Sequence, residues 1–147
     1  LVRTFVAFGS PVASYHTSTV VFTGAGTYGS LGVYLVNATR NSTNHSTKMV
    51  VVPIVDNLDG VHKLGSFPTS PSVDDFGSFV FNVDTDEEVT SGLYSWSVES
   101  RKICMVRSLA ETKALNMDIQ FNSFAGGSLV YYDTNGTVDE LWRQEIF

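Results

Sequence analysis

"GSLVYYDTNGTVDELWRQEI" spans residues 127–146, and its reading decides the fold class. Two stretches, 127–133 and 138–146, flank the cluster Asp133-Thr134-Asn135-Gly136-Thr137. Asn-Gly tolerates the positive φ that tight hairpin turns demand, so it is the strongest short signal for a β-hairpin. Both flanks are rich in aromatic and aliphatic residues, which favour a pleated surface. The segment therefore predicts two antiparallel strands. Tyr131 and Tyr132 are neighbours on one of them, so their rings point to opposite faces. One of the two is expected on an outer face or at an interface, together with Trp142.

Outward from this hairpin the pattern repeats. Short apolar stretches occur at 2–8, 18–23, 31–37, 48–55, 61–67, 76–83, 92–99, 102–107 and 116–121. Turn chemistry separates them. "DNLDG" (56–60) ends in Asp-Gly, and "FPTSPS" (67–72) carries two prolines that stop strand pairing. Only "SLAETKALN" (108–116) looks helical, because Ser108 and Glu111 have capping-box spacing. These features predict an all-β fold: an antiparallel two-sheet β-sandwich of jelly-roll type, with about ten strands and at most one short helix. No linker or repeat interrupts residues 1–147, which are expected to form one domain. The chain does not begin with Met and reads as processed or excised from a longer chain.

Composition narrows the function. The net charge of −6 argues against nucleic-acid binding by this segment, which needs a basic face. No apolar run reaches the length of a membrane span, so membrane insertion is not expected. The one cysteine, Cys104, cannot pair internally, and its place between Ile103 and Met105 predicts a buried strand position.

The chemical motifs are weak. Gly24, Gly26 and Gly29 match the glycine pattern of dinucleotide-binding loops, but such a loop must open a helix. Here "SLGVYLVN" (30–37) follows, which predicts a strand. The acidic cluster Asp84, Asp86, Glu87 and Glu88 offers hard oxygen ligands, so Asp84, Asp86 and Glu87 are candidate calcium ligands. It lacks the glycine and distal glutamate of a calcium loop. Asp74 and Asp75 are candidates to join it. His16, His45 and His62 have no zinc spacing, and no nucleophile elbow is present. No catalytic residues are expected. Tyr15, Tyr28, Trp96, Tyr131, Tyr132 and Trp142 are candidates for sugar or protein contact. Trp96 alternates with Tyr94 and is expected in the core.

"GAGTYGSLGVYLVN" (24–37) and "TSGLYSWSVE" (90–99) each run a glycine-rich turn into an aromatic and aliphatic strand. In this the chain resembles the protruding domains of coat proteins of small non-enveloped positive-strand RNA viruses, of the tombusvirus and nodavirus kind. Trimeric jelly rolls of the complement-globular and tumour-necrosis-factor kind use a similar Gly-Leu-Tyr strand. The viral resemblance implies a homodimeric spike on the virion surface that attaches to a host-cell receptor or glycan and catalyses nothing. The alternative is a secreted β-sandwich binding module, lectin-like or a trimeric ligand. Four glycosylation sequons, at Asn37, Asn41, Asn44 and Asn135, bear on that choice, since a coat protein assembled in the cytosol would leave them unmodified. Residues 38–47 and 67–72 are expected to be exposed loops.

Overall fold

The structure, a computed structural model, describes residues 5–9, 11–17, 19–26, 31–40, 43, 47–55, 71–85, 87, 89–112, 116–118, 124–134 and 139–146. The chain is all-β, and its sheets follow one another along the sequence. A first sheet contains β1 (Phe5–Phe8), β2 (Val12–Ala13), β3 (Thr19–Gly26), β4 (Leu31–Arg40) and β5 (Thr47–Val55). The next holds β6 (Ser72–Val73), β7 (Phe79–Val83), β8 (Gly92–Trp96) and β9 (Ile103–Ser108). After the single described turn of helix, α1 (Leu109–Thr112), a third sheet contains β10 (Asn116–Asp118), β11 (Phe124–Ala125), β12 (Ser128–Thr134) and β13 (Asp139–Glu145). Every described strand pair is antiparallel.

Three sheets replace the expected two because β7 and β8 have no solvent face. All five residues of each are buried. Phe79, Phe81 and Val83 of β7, with Tyr94 and Trp96 of β8, pack against Val21, Val33 and Leu35 of the first sheet. The alternate residues, Val80 and Leu93, pack against Phe124, Leu129 and Tyr131 of the third. Strand residues alternate faces, so one sheet serves two cores and lies between them. Its aromatic pairs are set by register. Phe79 lies opposite Trp96 and Phe81 opposite Tyr94, with ring centroids 5.1 and 5.7 Å apart. Each stacked pair is worth about 0.5–1.5 kcal/mol beyond its buried area.

The opening hairpin forms. β12 and β13 pair from Ser128↔Glu145 to Thr134↔Asp139, leaving 135–138 outside the described residues. The glycine motif is not a nucleotide loop: Gly24 and Gly26 lie within β3, paired with β1 on one side, and Gly24 faces Gly32 of β4 on the other. The helix forms where its cap predicts, the Ser108 hydroxyl accepting the Glu111 amide at 3.1 Å. It is described only through Thr112.

Several expectations are corrected. Cys104 is exposed, as is its neighbour Met105 on the opposite face, so neither face of β9, the last described strand of the middle sheet, is covered there. The polar segment after Asn37 is largely strand: β4 continues through Arg40 and β5 resumes at Thr47, and Asn37 pairs with Thr19 and Val50. At the end of the proline loop, Pro71 and Ser72 are buried, since Ser72 belongs to β6 and its hydroxyl accepts the Phe124 amide at 3.1 Å. The stretch 61–67 lies outside the described residues.

Candidate functional site

Four turns meet at one end of the middle sheet. They are the β2–β3 turn around Tyr15, the β6–β7 turn at 74–78, the β8–β9 turn at 97–102 and the β11–β12 turn at Gly126-Gly127. Polar contacts fasten them together. The Ser14 hydroxyl donates to the Asp75 carbonyl at 3.1 Å, and the Val98 amide donates to the Ser78 hydroxyl at 3.1 Å.

Asp74 organises this end. Its Oδ1 accepts the Phe76 and Ser78 amides, each at 2.9 Å, while its own amide donates to the Ser78 carbonyl at 2.9 Å. An Asp that caps the turn ahead of it, with glycine three residues on, is a tight-turn arrangement. Gly77 has φ +92°, and a Cβ there would sit 3.2 Å from the Thr17 hydroxyl of the neighbouring turn. The Asp74 residue is only 4% exposed. Burial pushes its carboxyl above the ordinary value of 3.8, partly offset by the Phe76, Ser78 and Gly77 amides. The Phe76 and Ser78 bonds both fall on Oδ1.

Two cavities flank Asp74. One of about 560 Å³ is lined by Ser14, Tyr15, Asp74, Asp75 and Phe124, among others. A second, of about 290 Å³, lies against Asp74, Phe76, Val98, Glu99 and the two turn glycines. At their rims Tyr15 is 87% exposed and Phe76 70% exposed. Uncovered aromatic rings thus stand on turns that polar contacts fasten together.

The residues singled out by sequence fall elsewhere. Asp84 and Glu87 lie at the opposite end of β7, about 16 Å away by strand rise, so Asp74 and Asp75 do not join them. Asp86 and Glu88 lie outside the described residues. Among the described residues no three His, Cys, Asp or Glu side chains come together as a metal would need. The acidic loop is held by hydroxyls instead. Thr85, Thr90 and Ser91 place their hydroxyls 2.8–3.1 Å from the Glu87 carbonyl, which the Thr90 and Ser91 amides also approach.

Tyr131 is the inward member of its pair, 1% exposed, and so is a core residue rather than a surface contact. Arg107 of β9 donates to its hydroxyl at 2.9 Å and lies 4.3 Å over the ring of Trp142, which is 37% exposed on the edge strand β13. Arg107 thereby ties the edge of the middle sheet to that of the third, a role that nothing in its local sequence announces. The side chain of Tyr132 is outside the described set, as are Asn41, Asn44, Asn135 and Tyr28. Trp96 is in the core, as expected.

Sequence reasoning named Tyr15 but missed Phe76. The "DDFGS" turn (74–78) carried the one available signal, Asp three residues before Gly between two strands. No described helix is long and apolar enough to cross a membrane. Set against protein-family models, curated proteins and solved structures, the chain matches none.

Proposed function

We propose that the chain is a non-catalytic attachment domain: the protruding domain of the coat protein of a small non-enveloped positive-strand RNA virus, displayed as a homodimer on the virion surface. One observation carries the attachment role. Tyr15 and Phe76 stand uncovered on interlocked turns at one end of a three-sheet stack. An isolated chain has no packing use for two exposed rings there, whereas a receptor surface does. Exposed Val130 and Leu141 on β12 and β13 support a second copy as partner. The jelly-roll topology belongs to this proposal as well.

The double substitution Tyr15→Ala with Phe76→Ala tests it. Both side chains are exposed, so folding is retained. Binding of the purified domain to susceptible cells is expected to fall at least about tenfold, the cost of two aromatic contacts of about 1 kcal/mol each. Unchanged cell binding would remove the attachment role. Sedimentation that finds only monomer at high micromolar concentration would remove the spike.

A secreted binding module is the second reading, favoured by the sequons at Asn41 and Asn44 between β4 and β5. Hexose mass on protein from its native source would select it over the spike.

A further inference from the structure

We propose that β13 pairs antiparallel, edge to edge, with β13 of a second copy of this chain, with Gln144 on the two-fold axis. The inference rests on the homodimer of the attachment reading and names the surface that forms it.

Outer strands carry unpaired amides and carbonyls, and folds blunt them with short length, bulges or proline. Among the described residues, every outer strand but one is blunted in this way. β2, β6 and β11 have two residues each, and β10 has three. β1 and β9 shift register against their neighbours, and β5 does so beside Pro53. β13 is the exception. It has seven residues and no proline, and its register with β12 runs without a shift. No described strand pairs with its other side. Leu141, Trp142 and Arg143 are consecutive and all exposed, Leu141 at 65%, so neither face of the strand is covered there.

Hydrogen-bond phase fixes which backbone groups face outward. The Ile146 amide donates to the Gly127 carbonyl at 2.7 Å and so points at β12. Bonding alternates along an antiparallel strand, which turns the Gln144 and Trp142 amides toward β12 as well. The amides and carbonyls of Leu141, Arg143 and Glu145 therefore point to the free edge.

Charge selects the partner and the register. Arg143 and Glu145 share one face and pair with each other at 3.0 Å, both well exposed. A two-fold axis through a continuous sheet keeps each residue on its own face, so the register moves only in two-residue steps. With Gln144 on the axis, Arg143 of each copy lies opposite Glu145 of the other, and these are residues whose backbone groups face the edge. Trp142 then lies opposite Ile146, apolar against apolar. Arg143 or Glu145 on the axis would set like charges face to face, and Trp142 on the axis would set Asp139 against Glu145. Leu141 on the axis would match Arg143 with Asp139 but set Trp142 against Glu140. The strand is thus complementary to itself in one register, and a two-fold contact of this kind closes as a dimer.

Sedimentation equilibrium of the intact chain tests this with Arg143→Glu, Glu145→Arg and the two together. Each single reversal sets like charges opposite each other at both ends of the contact, and the dissociation constant is expected to rise at least about tenfold. The double reversal exchanges the partners and is expected within about threefold of wild type. Both side chains are exposed, so folding is retained. Amide exchange read by NMR reports on the backbone. The Arg143 and Glu145 amides are expected to be protected in the dimer and to lose protection in either single variant, while the Gln144 amide, bonded within the chain, keeps it.

A dimer that neither reversal weakens, or one whose Arg143 and Glu145 amides exchange freely, would overturn the proposal and leave the homodimer standing on another surface. A dimer weakened by Arg143→Glu and unmoved by Glu145→Arg would overturn it in favour of Leu141 on the axis. Monomer alone at high micromolar concentration would overturn it together with the spike.

Discussion

The two ends of β7 both carry acidic turns, and they are built in opposite ways. At the Asp74 end a carboxylate goes inside and organises backbone amides around itself. At the Asp84–Ser91 end the Glu87 side chain is exposed, and hydroxyls gather on a backbone carbonyl. The Glu87 carbonyl has more donors nearby than two lone pairs can accept at once, so these bonds are shared. Acidic composition alone therefore says nothing about function. One end closes its turn on a side-chain carboxylate, the other on a backbone carbonyl.

The largest expected effect lies at the hydroxyl-bound end. Gly92 begins β8 at φ +146°, and a Cβ there would overlap the Arg107 carbonyl oxygen and sit 2.9 Å from Ser108 Cα. Neither neighbour is a flexible side-chain tip. Gly92→Ala is expected to cost about 3 kcal/mol or more, through steric overlap and backbone strain together. Gly77 at the other end has only side-chain neighbours, the nearest at 3.2 Å, and Gly77→Ala should cost about 1–2 kcal/mol. Urea unfolding of the two variants measures the difference. Equal losses would show that the two ends hold their turns with similar tolerance.

A second pair compares the polar locks. Asp74→Ala removes the acceptor of two amides, one of them fully buried, and should cost about 2–3 kcal/mol. Ser91→Ala removes the acceptor of the Thr85 amide and a hydroxyl contact to Thr85 Oγ1 at 3.2 Å, while the Glu87 carbonyl keeps its other donors. Its cost should be about 1–2 kcal/mol. A larger loss for Ser91→Ala would reverse the ranking of the two locks.

These contrasts mark what could be read without a structure. The hairpin at 127–146 and the cap at Ser108 were legible because their signals are local. So was the strand character of 19–23, 79–83 and 92–96. The middle sheet was not. "FVFNV" (79–83) and "GLYSW" (92–96) place Asn82 and Ser95 on the face that meets the third sheet, although polar residues at alternate positions ordinarily mark a solvent face. Both are 2% exposed. Cys104 misled in the reverse sense: its neighbours read as core, yet Cys104 and Met105 are both exposed on β9. Strands of two residues, β2, β6 and β11, are too short to show a period. The candidate site combines turns from positions 14 to 127, and convergence of that kind arises from sheet order, which no local pattern carries.

The smallest effect separates the two ends by pH. Burial holds the Asp74 carboxyl above 3.8 in the folded chain, so the folded state binds its proton more tightly than the unfolded state does. A group of this kind stabilises the fold most below its unfolded pKa, and that contribution is lost as pH rises through the folded value. Relative to Asp74→Asn, which cannot titrate, the wild-type chain should lose thermal stability between about pH 3.8 and neutrality. Thermal midpoints of the wild type and Asp74→Asn recorded from pH 3 to 7 measure this difference. A flat Asp74→Asn difference would mean that the Phe76, Ser78 and Gly77 amides fully offset burial, and a falling one means that burial outweighs them.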